Sequence, residues 1–486
     1  MSQETPAGPR VGERQVATAH TAGAFDGVAF AVFASAFALG ALIHEFNSTF
    51  PWWIAVPVAV AALAVLVRPT SPVRLVVLLG LFVVECVSRL PNPVNHQILV
   101  GVLGATLGLW WFGLRWRAPR VATDPALLYE RVAPYLRVAF ILMWAIAALA
   151  KVNTGFTDVV TSCSVWILES IPGVQVPQAL APAVIASTIA LELAVPALLL
   201  FHRTRPLAVV LAFGFHVVSA FAGHSWFSGF AWAFYFLFLP PAMLARGVVM
   251  ARRALPERVR DHLAVAVSRA PVTLAVASVT WLGVRYGLLP KLPGPLADAR
   301  HWGAVLMCVV WMGLSGWILV RLRHHWIPAP ARGPRASLRV RSPIMWVGIG
   351  LLVLNAAMPY LGVKTRAAFT MFSNIHTEPG HWNHLIVPES VRVFGWLDGG
   401  DVRFLTTDDP RLAEEIAGQD SEHILLLGAR RLVDEFPEAT VRYTLDGVER
   451  VAAPVSADPV LGAPVSTAQE WLGAIRPYAE GGTCQH

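Results

Sequence analysis

Lysine is almost absent: Lys151, Lys291 and Lys364 stand against thirty-five arginines. Where this chain needs a positive charge it uses arginine, which keeps its proton throughout the accessible pH range. A desolvated lysine can lose its proton and act as a base. Lys151 ends the apolar run 135–151. Two readings stand there, an ammonium reaching the membrane surface on its aliphatic stem and a buried base. Cysteine is also scarce, at four, which excludes a small disulfide scaffold. A Walker loop, a dinucleotide fingerprint and a Gly-x-Ser-x-Gly elbow are missing. The polar first 27 residues lack the short apolar core of a signal peptide, so the first helix is expected to remain as an anchor.

What fills the chain is apolar. Of 486 residues, 55% are hydrophobic and eighteen are tryptophan, and the mean hydropathy is +0.56. No soluble globular domain has that composition. Runs long enough to cross a bilayer occur at 28–45, 51–67, 73–89, 97–113, 134–152, 181–201, 206–223, 227–245, 271–287, 302–320 and 343–361. The expected fold is an all-α polytopic membrane bundle of about eleven transmembrane helices over 28–361. A cytoplasmic tail, 1–27, precedes it, and a small extracytoplasmic α+β domain, 362–486, follows.

The arginines orient this bundle. With a cytoplasmic N-terminus and alternating loops, twenty-two basic residues fall on the cytoplasmic side. Arg89, Lys151, Arg285, Lys291 and Arg300 fall on the other. This is the positive-inside bias, and it accounts for the net charge of +7 without any nucleic acid. Residues 362–486 reverse the balance, with ten basic and eighteen acidic groups. Alternation marks strands at 391–394, 402–405, 424–427 and 441–445, and helices at 411–417 and 467–475. Cys163 and Cys484 share the outer side by this topology, which permits a disulfide.

Ionisable residues inside or beside the spans fall mostly in the outer half: His44, Glu45, Glu85, His96, Lys151, Glu192, His216 and His224. Charge at membrane depth is costly and marks sites of function. Pro196, four residues after Glu192, removes the amide that would bond the Glu192 carbonyl, so a kink is expected there. Ser219, Ala220 and Gly223 offer a small-residue face beside His216.

These residues carry a resemblance. The stretch Leu191–Leu239 has an acidic helix, a short basic turn, a helix with Phe215-His216, and a Phe/Ser/Gly-rich turn into another helix. It resembles the membrane core of vitamin K-dependent gamma-carboxylases and their bacterial relatives, the horizontally transferred transmembrane domain family. The segment 147–157 (AALAKVNTGFT) looks like the family's Lys-Leu-(Asp/Asn) segment, whose lysine is the proposed base. The segment 93–100 (PVNHQILV) resembles its Asn-His-Ser-Tyr-Leu segment, with Gln97 and Ile98 in place of serine and tyrosine. Residues 369–389 look like a segment that bacterial members carry after their last helix. The likeness otherwise covers roughly 28–245.

The resemblance implies a membrane enzyme that oxidises a reduced naphthoquinone, vitamin K or menaquinone, with O2. Coupled addition of CO2 to a glutamyl residue of a protein or peptide would follow. Lys151 would be the base, with His96 and His216 placed to hydrogen-bond the quinone oxygens. Glu192, His224, Trp226 and His384 would complete the quinone site, His384 at its mouth. The expected partners are membrane lipid and the lipid-soluble quinone. His376, His381 and His384 form a histidine-rich stretch, but no cysteine or carboxylate completes a recognisable ligand set, and no metal is expected. The competing reading is a non-catalytic transporter or scaffold that keeps the fold. The inverted repeats of many transporters are not visible in this sequence.

Overall fold

The computed structural model describes residues 11–47, 51–284, 299–322, 337–417, 423–478 and 484. Arg10, Arg285, Lys291, Arg323, Arg332 and Arg335 of the charge pattern lie outside them. The chain is mostly helical. In order, the helices of its first half are α1 (Val11–Asn47), α2 (Trp52–Val67), α3 (Pro72–Ser88), α4 (Asn95–Arg117), α5 (Pro119–Thr123), α6 (Pro125–Ala150), α7 (Thr154–Thr157), α8 (Cys163–Glu169) and α9 (Ala181–Leu200). Then come α10 (Arg205–Ser219), α11 (Ser225–Phe236), α12 (Pro241–Ala254), α13 (Glu257–Ser268), α14 (Ala270–Leu282), α15 (Ala299–Arg321) and α16 (Pro343–Ala357). The C-terminal segment adds β1 (Asp401–Thr407), α17 (Pro410–Ala417), β2 (Ile424–Leu425), α18 (Leu426–Val433), β3 (Val441–Leu445), β4 (Val448–Ala452) and α19 (Thr467–Leu472).

Among the described residues, five apolar stretches have the length to cross a membrane: Phe25–Phe46, Asn95–Arg117, Pro125–Ala150, Ala181–Leu200 and Arg205–Phe236. Shorter apolar helices are Trp52–Val67, Val272–Leu282, Val305–Arg321 and Pro343–Ala357. These mark a membrane protein, with five full-length spans among the described residues against the eleven expected. Two differences stand out. Helix α1 begins at Val11, inside the expected tail. The run 227–245 is broken between Phe236 and Pro241, where Pro240 and Pro241 end one helix and start the next. Helix α9, with Pro196 inside it, ends at Leu200, close to the expected 181–201.

The stretch Arg205–Phe236 is not a single rod. At its centre a π turn, Ala220–His224, contains Gly223 at φ 96°, a conformation that suits glycine. The chain folds back there. Phe213 and Trp232 rings lie 4.0 Å apart, and His216 and Tyr235 rings 5.8 Å apart. Nineteen residues of straight helix would separate either pair by about 28 Å.

The chain forms two compact units: 1–81, 104–140 and 198–346 make the first, and 82–103, 141–197 and 347–486 the second. In the first unit α1 and α11 run antiparallel, with Phe33 against Phe234, Phe37 against Phe230 and His44 against Trp226. Gly40 and Gly229 face each other so closely that a Cβ on Gly40 would stand 2.9 Å from the Gly229 backbone. Without a water-driven force between helices in lipid, such small-residue approach is a main source of association.

In the second unit the antiparallel sheet has the order β2-β1-β3-β4. Asp446 and Gly447, at φ 51° and 79°, turn β3 into β4. The buried core includes Val402, Leu412, Leu425, Val433, Val441 and Tyr443. The run 424–427 is strand only at its first two residues, and α18 starts at Leu426. Residues 391–394 form no strand, because the Val393 and Phe394 amides donate to the Leu361 carbonyl. Cys163 and Cys484 are joined, with Cα atoms 4.5 Å apart across 321 residues of sequence. The bridge sits in a second apolar cluster with Phe156, Ala181 and Ile185.

Candidate active site

The last turn of an α-helix leaves four carbonyls without intrahelical donors. At the end of α6 each finds one. Ala148 O accepts from the Lys151 amide, and Leu149 O from the Val152 amide. Leu149 O also meets His384 Nε2 at 3.1 Å. Ala150 O accepts from Asn153 Nδ2 at 2.7 Å. Ala147 O faces Lys151 Nζ at 3.5 Å. The same Asn153 caps α7 through its Oδ1, which accepts from the Phe156 amide. The turn at Lys151 is thus fixed from both sides.

Lys151 is 4% exposed and Glu192 3%. Their Nζ and Oε2 atoms lie 2.9 Å apart. The Lys151 ammonium also donates to Met371 O at 3.2 Å, and the Phe156 ring centre lies 5.8 Å away. Neither sequence reading of Lys151 is complete. The side chain does not reach outward to the surface, and it is not walled by apolar groups alone. A buried ion pair is costly unless its remaining hydrogen bonds are met. Here all three ammonium protons have an oxygen to point to, and the contact with Ala147 is the weakest.

The Met371 carbonyl belongs to a segment of unusual backbone. Ala367, Phe369, Phe372 and Asn374 all have positive φ, from 48° to 62°. Left-handed conformations cost non-glycine residues about 1–3 kcal/mol each and gather at functional sites. The effect is to turn successive carbonyls toward buried donors. Ala367 O takes Lys364 Nζ at 3.0 Å and Asn355 Nδ2 at 3.2 Å. Met371 O takes Lys151, and Ser373 O takes Asn153 Nδ2 at 2.7 Å. Asn374 O accepts from Asn383 Nδ2 at 2.9 Å. Asn95 Oδ1 holds the segment from α4 by accepting from the Phe369 amide.

Lys364 is the second lysine at this centre. It is 5% exposed, with Nζ 2.6 Å from Asn355 Oδ1, and burial lowers its pKa to about 8. The sequence held its signal, since the scarcity of lysine applied to Lys364 as much as to Lys151. Asn95 and Asn153 fall in the two segments that carry the resemblance, and Asn383 lies in the histidine-rich stretch, whereas nothing local distinguishes Asn355 from a surface asparagine.

His96 is buried as the second residue of α4, next to Asn95. Gln97, which stands where the family has serine, donates through Nε2 to Glu85 Oε1 and accepts the Val94 amide. His384 differs from expectation. Its Nδ1 accepts the Ile386 and Val387 amides, and its Nε2 faces Leu149 O, so both ring nitrogens hold backbone. It staples residues 384–387 to the end of α6 and has no nitrogen left for a quinone. Nearby, Glu378 lies between His376, 3.3 Å away, and Arg476. Burial alone would raise its pKa, but the His376 hydrogen bond and the Arg476 charge outweigh that and hold it below the usual carboxylate range.

The other expected site residues lie in the first unit. His216 is fully buried, its Nδ1 3.4 Å from Ser228 Oγ, among the rings of Phe215, Phe227 and Tyr235. His224 ends the π turn, and its carbonyl accepts from Ser228 Oγ at 3.0 Å. Trp226 stacks on His44.

No family model, curated protein or solved structure matches this chain.

Proposed function

We propose that this protein is a membrane-embedded enzyme in which the Lys151–Glu192 pair moves a proton of a lipid-soluble substrate. The observation that carries the reading is the pair itself: an amine and a carboxylate at 2.9 Å, each buried, at the end of an apolar helix. Such a pair adds no net stability over apolar residues of similar volume. A strained carbonyl-lined segment is built around it nonetheless, and that points to chemistry rather than to packing.

The substrate that the family resemblance supplies is a reduced naphthoquinone, vitamin K or menaquinone, with O2 and CO2 as co-substrates and a glutamyl side chain as acceptor. The residues present fit a hydroxylated ring. Glu192 accepts the hydroxyl proton, the Lys151 ammonium stays beside the oxyanion, and the Phe156 ring gives a flat apolar wall. The substrate oxygen takes the place of the long contact to Ala147. Base and cation are therefore divided between two side chains, where the resemblance made Lys151 the base and gave the quinone oxygens to His96 and His216. Of the two histidines that the resemblance gives to the quinone oxygens, His96 belongs to the same compact unit as the pair. The eleven-span topology, a cytoplasmic N-terminus and an extracytoplasmic α+β domain, belongs to the same proposal and rests on the arginine bias.

The test is turnover of reduced menaquinone to its epoxide by purified protein, wild type against Lys151→Arg, Lys151→Met and Glu192→Gln. General-base catalysis contributes about 10²–10⁴-fold, so Glu192→Gln is expected to lose at least that lower figure, Lys151→Met to lose most turnover with the oxyanion's cation, and Lys151→Arg, which keeps the charge, to lose less than Lys151→Met, all while remaining folded. A folded Lys151→Met variant with wild-type turnover would overturn the reading. Intact quinone binding without turnover in the wild type would favour the transporter or scaffold.

A further inference from the structure

The α+β segment and the end of α3 enclose a groove of about 560 Å³. Its floor on one side is Val87 with the Leu90–Pro91 turn, and on the other α18 and α19. Five charged side chains line it: Arg430 and Arg431 from the last turn of α18, Asp434 and Glu435 just beyond, and Glu470 in α19. Opposite charges in one groove ordinarily close on each other. Among the described residues, none of these five forms an ion pair within 4.0 Å. Each arginine is instead fixed through one nitrogen to backbone, Arg430 Nε to Val460 O at 2.7 Å and Arg431 to Gly473 O at 2.9 Å. The guanidinium groups are held in place with donors to spare, and Glu470 acts on Arg431 through its charge without closing on it. Trp471, 51% exposed, completes the rim.

The apolar side of the groove continues along a helix. On α3, Val73, Val77, Val84 and Val87 are each about half exposed and recur at the spacing of a single helix face. Val87 is the last of them and lines the groove. We propose that this is a binding site for a phospholipid with a zwitterionic, primary-amine headgroup, of the phosphatidylethanolamine type. Its phosphate lies on Arg430 and Arg431, its ammonium on the exposed Asp434 and Glu435, and one acyl chain along Val84 and Val87. Three carboxylates against two arginines disfavour a purely anionic headgroup. A choline headgroup fills the same space but has no N–H to donate.

The site is independent of the quinone chemistry and is tested by lipid retention. Full-length protein is purified in detergent with equal amounts of phosphatidylethanolamine, phosphatidylcholine and phosphatidylglycerol, and bound lipid is counted by native mass spectrometry. Retention of the ethanolamine lipid is expected to exceed that of the choline lipid about tenfold, the worth of one charge-assisted hydrogen bond. The exposed pair Asp434→Asn with Glu435→Gln should abolish that preference while keeping phosphate binding and the thermal midpoint. Arg430→Gln with Arg431→Gln should lose all three lipids, and Val84→Ser with Val87→Ser should weaken all three alike. Equal retention of the three lipids by the wild type, or an unchanged preference in the acidic-pair variant, would overturn the proposal. Displacement of the lipid by soluble phosphoethanolamine at equal concentration would also overturn it, since the groove would then bind a free phosphoester and the α3 face would contribute nothing.

Discussion

In the α10–α11 hairpin a buried histidine is packed among rings, whereas at the end of α6 a buried lysine is packed among oxygens. His216 has Phe215, Phe227 and Tyr235 around it. Lys151 has a carboxylate and two carbonyls. The first arrangement needs only regular helices and one glycine turn. The second needs four residues in left-handed backbone and a set of buried amides. Apolar packing is satisfied by any surface of the right shape, but an ammonium requires oxygens at particular points. The 367–374 segment, with its left-handed residues, supplies such oxygens, and that strain sets the lysine centre apart from the packed one.

The sharpest way to break this contrast is to remove one member of the pair. Glu192→Leu leaves a buried ammonium uncompensated and should cost about 3–5 kcal/mol of stability. The double variant Lys151→Met with Glu192→Leu should recover most of that stability, while epoxidation stays lost. His216→Phe keeps volume in an aromatic setting and should cost less than about 1.5 kcal/mol. Thermal unfolding in detergent measures all three. A His216→Phe variant less stable than Glu192→Leu would reverse the comparison.

Next in size is the disulfide, which ties residue 484 into the cluster around Phe156 beside the lysine centre. Cys484→Ser should lower stability by about 2–5 kcal/mol. Reduction of the wild type by dithiothreitol should give the same melting temperature as the variant, and a variant as stable as the oxidised protein would show that the bridge is incidental.

In the first unit, Gly40→Ala forces α1 away from α11 and should cost about 1–3 kcal/mol. Because that contact is purely steric, the loss should be the same at every pH. Crosslinking yield between cysteines placed on α1 and α11 would report the separation.

The smallest effect is a slope. The Lys364 pKa is lowered to about 8 in the fold and returns to its ordinary value when the chain unfolds. Between those values the unfolded chain binds more protons, so stability should rise with pH from about 8 to 10.5. Below about pH 8 the cost of burying the charge is present in full. Lys364→Met should flatten the rise by a few degrees of melting temperature. A wild type that loses stability across that window, relative to the variant, would contradict the assignment.

Parts of the fold were readable along the chain. Strand β3 runs from Val441 to Leu445 as the alternation predicts, and α17 nearly matches its expected 411–417. Strand β4 is not among the expected strands, although Asp446-Gly447 is a strong hairpin signal. The buried run 424–429 is ambiguous by nature, since continuous burial suits a core strand and a core helix equally. Residues 391–394 have strand composition, but their amides are taken by Leu361, a partner that no local pattern reveals.

By itself the sequence determined that the chain belongs in a membrane, because apolar length is a property of consecutive residues. It also singled out lysine, because scarcity is a property of composition. Only the tertiary structure decided that Lys151 meets Glu192, that Lys364 joins the same segment, and that His384 serves backbone instead of ligand. Lys151 meets Met371 across 220 positions, and His384 meets Leu149 across 235. Each is set by where helices and turns bring a few oxygens together, which neither periodicity nor composition encodes.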